Sequence, residues 1–128
     1  MISTTHPITL VELENYSRDA DLIFDEDRHE RLKEILAFNP EHGELIEGTG
    51  GVRQFVWKVD DVSGQEVQVV YFFHDLEVPL FLVAICEEPL EEFDEDFSAE
   101  LKVLALELVA EYQRQKEKLM QAKATTSA

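Results

Sequence analysis

Three apolar runs follow one another closely in the middle of the chain: VRQFVWKV at 52–59, VQVVYFF at 67–73 and PLFLVAIC at 79–86. The segments between them, DDVSGQE and HDLEV, are too short to hold the crossover that parallel neighbours need. The runs are therefore expected to pair as an antiparallel meander, turning around Ser63–Gly64 and around His74–Asp75. Val52, Phe55 and Trp57 alternate imperfectly with polar neighbours. The third run is uninterrupted and reads as a strand buried on both faces, far short of a membrane span.

The flanking segments fix what covers this sheet. DEDRHERLKEILAFN, from Asp25, carries acids in its first turn, the apolar stripe Leu32, Ile35 and Leu36, and a stop at Pro40, which predicts a helix. ITLVEL at 8–13 offers another short strand, and Asn15 to Ile23 a weaker helix. Near the end, Ser98 can cap a long helix with Leu101, Leu104, Ala105, Leu108 and Tyr112 on one face. Val103, Leu106 and Ala110 form a second apolar face. A helix apolar on two sides is expected to pack on the sheet and also to meet a partner or a second copy, giving a homodimer through this helix. From Gln113 the chain is polar and is expected to fray. The expectation is an α+β fold, a small antiparallel-dominated sheet of about four strands flanked by helices, in one domain over 1–128 with its core at about 8–112.

Composition limits function. With 28 acids against 11 bases the formal charge is −17, remote from that of a protein that neutralises phosphates, so no direct nucleic-acid partner is expected. One cysteine, Cys86, allows no internal disulfide, and MISTTHPITL has neither the basic nor the apolar stretch of a signal peptide, which predicts a cytoplasmic protein without membrane association. The histidines His6, His29, His42 and His74 lack the short spacings of a zinc site, and no cofactor or metal is expected.

The stretch FNPEHGELIEGTGGVRQFVWKV, followed by VQVVYFF, another apolar strand and a C-terminal helix, resembles the RelE/ParE superfamily, closest to its HigB-like toxin branch. There a helix ends at Asn-Pro and a Gly-x-x-Ile-x-Gly-Thr-Gly-Gly loop leads into an Arg-bearing strand. Asn39, Pro40, Gly43, Ile46, Gly48, Thr49, Gly50, Gly51 and Arg53 fit that pattern, and the likeness spans roughly 24–112. The resemblance implies a ribosome-dependent mRNA endoribonuclease held inactive by an antitoxin, with a catalytic surface of Lys and Arg.

Those cations are largely replaced. The basic residue after the family's Arg falls at Gln54, the Arg before its Val-Ile-Tyr strand at Gln68, and the Lys near the last strand at or beside Glu87 and Glu88. The basic loop has become Asp60, Asp61, Val62, Ser63, Gly64, Gln65 and Glu66. From Val59 to Leu101 the chain holds thirteen acids and no Lys or Arg. Cleavage of RNA builds charge on phosphate oxygens that fixed cations must meet, so catalysis is expected to be absent or very weak. The surviving catalytic candidates are Arg53 and His74. Arg53 is expected to pair with a carboxylate instead of a phosphate, and His74 to be an exposed turn histidine. GTGG precedes a strand and lacks a following Gly-Lys, so it reads as a tight turn and not as a phosphate loop. Cys86 reads as a packed thiol.

EEPLEEFDEDFSAE at 87–100 holds eight acids and no base. It reads either as a solvated loop that favours the next helix through its dipole, or as a partner-binding surface imitating a nucleic-acid backbone. In the second reading Glu87, Glu88, Glu91, Glu92, Asp94, Glu95 and Asp96 are the polar contacts and Phe93 the anchor. Two function classes follow. One is a non-catalytic acidic inhibitor of a basic protein or ribonucleoprotein, an anti-CRISPR protein being one example. The other is a HigB-like toxin with a cognate helix-turn-helix antitoxin.

Overall fold

The computed structural model describes residues 7–87 and 95–126, and within the last helix the side chains of 99–121. In chain order the elements are β1 (Leu10–Glu12), α1 (Glu14–Ile23), α2 (Glu26–Phe38), β2 (Glu44–Leu45), β3 (Val52–Lys58), β4 (Glu66–Phe72), β5 (Leu80–Cys86) and α3 (Glu95–Thr126). They build a five-stranded sheet in the order β1-β5-β4-β3-β2. The meander β3-β4-β5 is antiparallel throughout. Strand β4 is central, which is why VQVVYF is buried at every residue instead of alternating.

Two expectations about the sheet change. It has five strands instead of about four, because Glu44 and Leu45 pair with Gln54 and Arg53 at the edge. It is mixed, because β1 runs parallel to β5, with Leu10 opposite Leu80. The intervening α1, α2, β2 and the meander give β1 the long connection that a parallel neighbour needs.

Alternation along the strands sends one set of side chains to each helical layer. On one side Tyr16, Ala20 and Phe24 of and beside α1, Leu32 and Leu36 of α2, and Phe55, Val67, Val69, Tyr71, Leu80 and Leu82 of the sheet form one core. On the other, Val52, Val70, Phe72, Phe81 and Val78 meet Leu101 and Ala105 of α3, with Leu108, Val109 and Tyr112 against them. The inner stripe expected for the last helix is thus the one that packs. The outer stripe is open, with Val103 54% and Leu106 63% exposed.

Helix α3 departs from expectation at both ends. It begins at Glu95, so Ser98 lies inside the helix instead of capping it, and it runs to Thr126 where a frayed tail was expected from Gln113. The polar residues QRQKEKLMQAK are strong helix formers, and polarity without Gly or Pro does not end a helix. Glu111 links the two halves, with its carboxylate 2.7 Å from Arg114 and accepting from Gln115 Nε2.

Candidate functional site

The glycine turn is built from its own side chain. Thr49, fully buried, donates its hydroxyl to Ile46 O at 2.6 Å and accepts Val52 N–H at 3.1 Å, while Ile46 N–H bonds Val52 O at 2.9 Å. Gly51 sits at φ +136°, and a Cβ there would lie 2.6 Å from Phe73 O, so only glycine fits. The turn aims β3 as expected of a tight turn.

Arg53 is held by the chain itself. Its Nη1 donates to Gly43 O at 2.8 Å, and its Nη2 lies 3.9 Å from Glu41 Oε2, so the expected carboxylate partner is Glu41. Its Nε is buried without a hydrogen-bond partner. Directly across the ladder, Tyr71 donates to Pro40 O at 2.7 Å and accepts from Gly43 N–H at 2.8 Å. Burial pushes its phenol up to about 12. A Cβ on Gly43 would lie 2.8 Å from the Tyr71 ring and 2.9 Å from Gln54 O. Arg53 and Tyr71 together clamp the 40–43 loop to the sheet. Pro40 and Gly43 of the sequence motif therefore have a structural role in this chain.

His74 is half exposed, its Nε2 3.6 Å from Asp75 Oδ2, as an exposed turn histidine should be. It shares with Arg53 and Glu41 a shallow cleft of about 270 Å3 beside the glycine turn. Across Gly50, His74 also borders an apolar cleft of about 300 Å3 formed with Phe72, Lys102, Ala105, Leu106 and Val109. The two surviving candidates are therefore neighbours. Glu41 lines the same cleft as Arg53 and offsets its charge there.

The positions at which the resemblance implies cations lie elsewhere. Gln54 and Gln68 project to the α3 side of the sheet, opposite in pleat to Arg53, and with Glu44, Phe55 and Val56 they line an open cleft of about 360 Å3. None of its lining residues is cationic. Val56, directly paired with Gln68, is 49% exposed, so α3 leaves this part of the sheet uncovered. Lys58 and Glu66 face each other across the ladder at its far end.

The acidic loop is only partly free. Asp60 Oδ1 accepts the backbone N–H groups of Val62 and Ser63 at 2.9 and 2.6 Å, which holds its carboxyl below the ordinary range. Asp61 lies 3.7 Å from Arg28 and 3.9 Å from Arg31. These two acids shape and tether the β3–β4 turn, a local duty that counting charges along the sequence does not show.

Of the acids expected at the partner surface, Glu87 is exposed at the end of β5, and Glu95 and Asp96 open α3; Glu88, Glu91, Glu92, Phe93 and Asp94 lie outside the described residues. Cys86 is half-buried and its thiol is pushed up by burial, as a packed thiol should be.

Three features were not read from the sequence. Glu44 and Val56 complete the Gln54/Gln68 cleft, Tyr71 clamps the 40–43 loop, and His29 sits in a polar cluster under α1. The His29 ring bonds Tyr16 OH at 3.1 Å and lies 3.7 Å from Glu12, which Lys33 also approaches at 3.9 Å. The alternation of VRQFVWKV was the available signal for Val56; nothing local pairs His29 with Tyr16 and Glu12. Among the described residues no three His, Cys, Asp or Glu side chains gather as metal ligands would, and no helix is long and apolar enough to cross a membrane. No protein-family model matches this chain, and no curated protein matches it.

Proposed function

We propose that this chain is a RelE/ParE-like scaffold that has lost its RNA chemistry and acts by binding, presenting acidic surface to the nucleic-acid groove of a basic protein or ribonucleoprotein. The observation that carries this reading is the Gln54/Gln68 cleft. A phosphate entering it would meet two neutral amides, Glu44 and Val56, and Arg53, turned to the other side, is already engaged by Gly43 and Glu41. Phosphoryl chemistry without fixed cations lacks its main source of transition-state stabilisation. The charge of −17 and the base-free run from Val59 to Leu101 favour a cationic partner instead. A phage-encoded inhibitor of a host defence complex, such as an anti-CRISPR protein, is one protein of this kind, and the cytoplasm is where such a partner would be met.

Affinity capture from host lysate, with added RNA as competitor, tests the reading. Captured proteins should be nucleic-acid binders, should elute as salt rises because opposite charges are screened, and should be displaced by RNA. A chain with Glu87, Glu91, Glu92 and Asp94 replaced by Lys should capture none of them. Codon-located mRNA cleavage on expression, abolished by His74→Ala, would establish the toxin reading instead.

A further inference from the structure

Helix α3 is longer than the sheet that supports it. Its 32 residues span about 48 Å at 1.5 Å per residue, and the residues packed on the sheet end at Tyr112. Every residue from Gln113 to Gln121 is exposed, including Leu119 at 64% and Met120 at 63%. A free helix of this segment's length is marginal in water, because nucleation is costly and helices in proteins draw their stability mainly from a packed face. A surface that covers it would supply that face.

Along the outer side of α3, Val103, Leu106, Ala110, Gln113, Glu117 and Met120 recur at alternating spacings of three and four, the seam of a two-helix coiled coil. Charge is segregated along the same helix. From Glu95 to Glu111 the sequence holds Glu95, Asp96, Glu100, Glu107 and Glu111 against Lys102 alone; from Gln113 onward it holds Arg114, Lys116, Lys118 and Lys123 against Glu117. A parallel copy would set acid against acid and base against base. An antiparallel copy sets each acidic half against a basic half.

We infer that the outer face of α3 is a self-association surface on which a second copy of the chain packs antiparallel, about a two-fold axis between Glu111 and Tyr112. That axis places Val103 opposite the partner's Met120, and Glu107 about 3 Å along the axis from the partner's Lys118, within reach of its side chain. The opposed dipoles of antiparallel helices add to the charge pairing. The basic half also offsets repulsion between two chains of charge −17, since four of the eleven Lys and Arg residues lie in it. Gln113 and Glu117 are the polar seam positions that weaken the contact and fix its register.

Sedimentation equilibrium of the full chain, with circular dichroism to confirm folding, tests this. Mass should rise with concentration from 14.7 kDa to twice that value. Val103→Glu with Leu106→Glu should weaken dimerisation about 100-fold, since it buries carboxylates at the seam. Glu107→Lys and Lys118→Glu should each weaken it about 5-fold, and the chain carrying both should return close to the original, because the pairing is restored only when the helices are antiparallel. A monomer at every concentration would overturn the inference, even one whose helix bound RNA or anionic vesicles. So would a dimer unmoved by the seam substitutions, or one that the double charge swap failed to rescue.

Discussion

On the side of the sheet that carries α1 and α2, the side chains of Tyr16, Leu32, Leu36, Val69, Tyr71 and Leu82 are sealed from solvent, whereas on the α3 side the cover stops short and leaves Gln54, Val56 and Glu44 lining an open cleft. The first side also spends its polar groups internally: Arg53 and Tyr71 on the 40–43 loop, Trp57 Nε1 on Arg28 O at 3.0 Å, and His29 on Tyr16. The second side leaves Glu44 and Val56 exposed. The first face is covered along its length, whereas the second is packed at Val52, Val70, Phe72 and Phe81 and open at Glu44 and Val56. Arg53, the cation kept in the resemblance, is engaged on the face that carries α1 and α2, while the glycine turn seats Ile46 and Val52 in the core on the α3 face.

Truncation should cost most in the sealed core. Leu32→Ala and Leu82→Ala, both at fully buried positions, should each lower unfolding free energy by about 2–5 kcal/mol. Val56→Ala on the open face should change it by less than about 0.5 kcal/mol. Equilibrium denaturation in urea measures both, and equal losses would show that the open face is part of the core.

The clamp comes next. Tyr71→Phe keeps the ring but strands Pro40 O and Gly43 N–H, both buried, and should cost about 1–3 kcal/mol. Hydrogen exchange localises the effect: amides of 40–45 should lose protection before those of β4. Uniform loss across the sheet would show that Tyr71 acts by packing alone.

A smaller effect depends on pH. His29 is held below the ordinary imidazole range, first by burial and then by Lys33, with Glu12 opposing. The unfolded chain therefore takes up a proton near pH 6.5 that the folded chain refuses. This group's contribution is complete above pH 6.5 and is lost as pH falls from there through the lowered folded value. Midpoints for the original chain and His29→Gln should converge on acidification through that window. A constant gap between them would mean that His29 takes up its proton equally in the folded and unfolded chains.

The sequence made the meander, both early helices, the glycine turn and the pairing of Arg53 with a carboxylate legible, because alternation, first-turn acids, a proline stop and turn glycines are local signals. The parallel pairing of β1 was not legible, since three residues, LVE, carry nothing that selects β5 over another edge. Two-residue β2 is set by its register against β3 and has no pattern of its own. The length of α3 was misjudged because a polar run looks like a tail when only burial is considered, although its residues favour helix. The cleft was half legible: Gln54 and Gln68 stood out as replacements, while Glu44 joined them only through the edge pairing Glu44↔Gln54.

On the proposed reading, the open face favours cationic partners over RNA. Fluorescence anisotropy with a labelled single-stranded RNA and with a labelled arginine-rich peptide, at low and at physiological salt, tests it most directly. No RNA binding should be detectable at either salt, and peptide binding should fall at least about 10-fold as salt rises. RNA binding that survives physiological salt and is lost on His74→Ala, with the peptide left unbound, would contradict it.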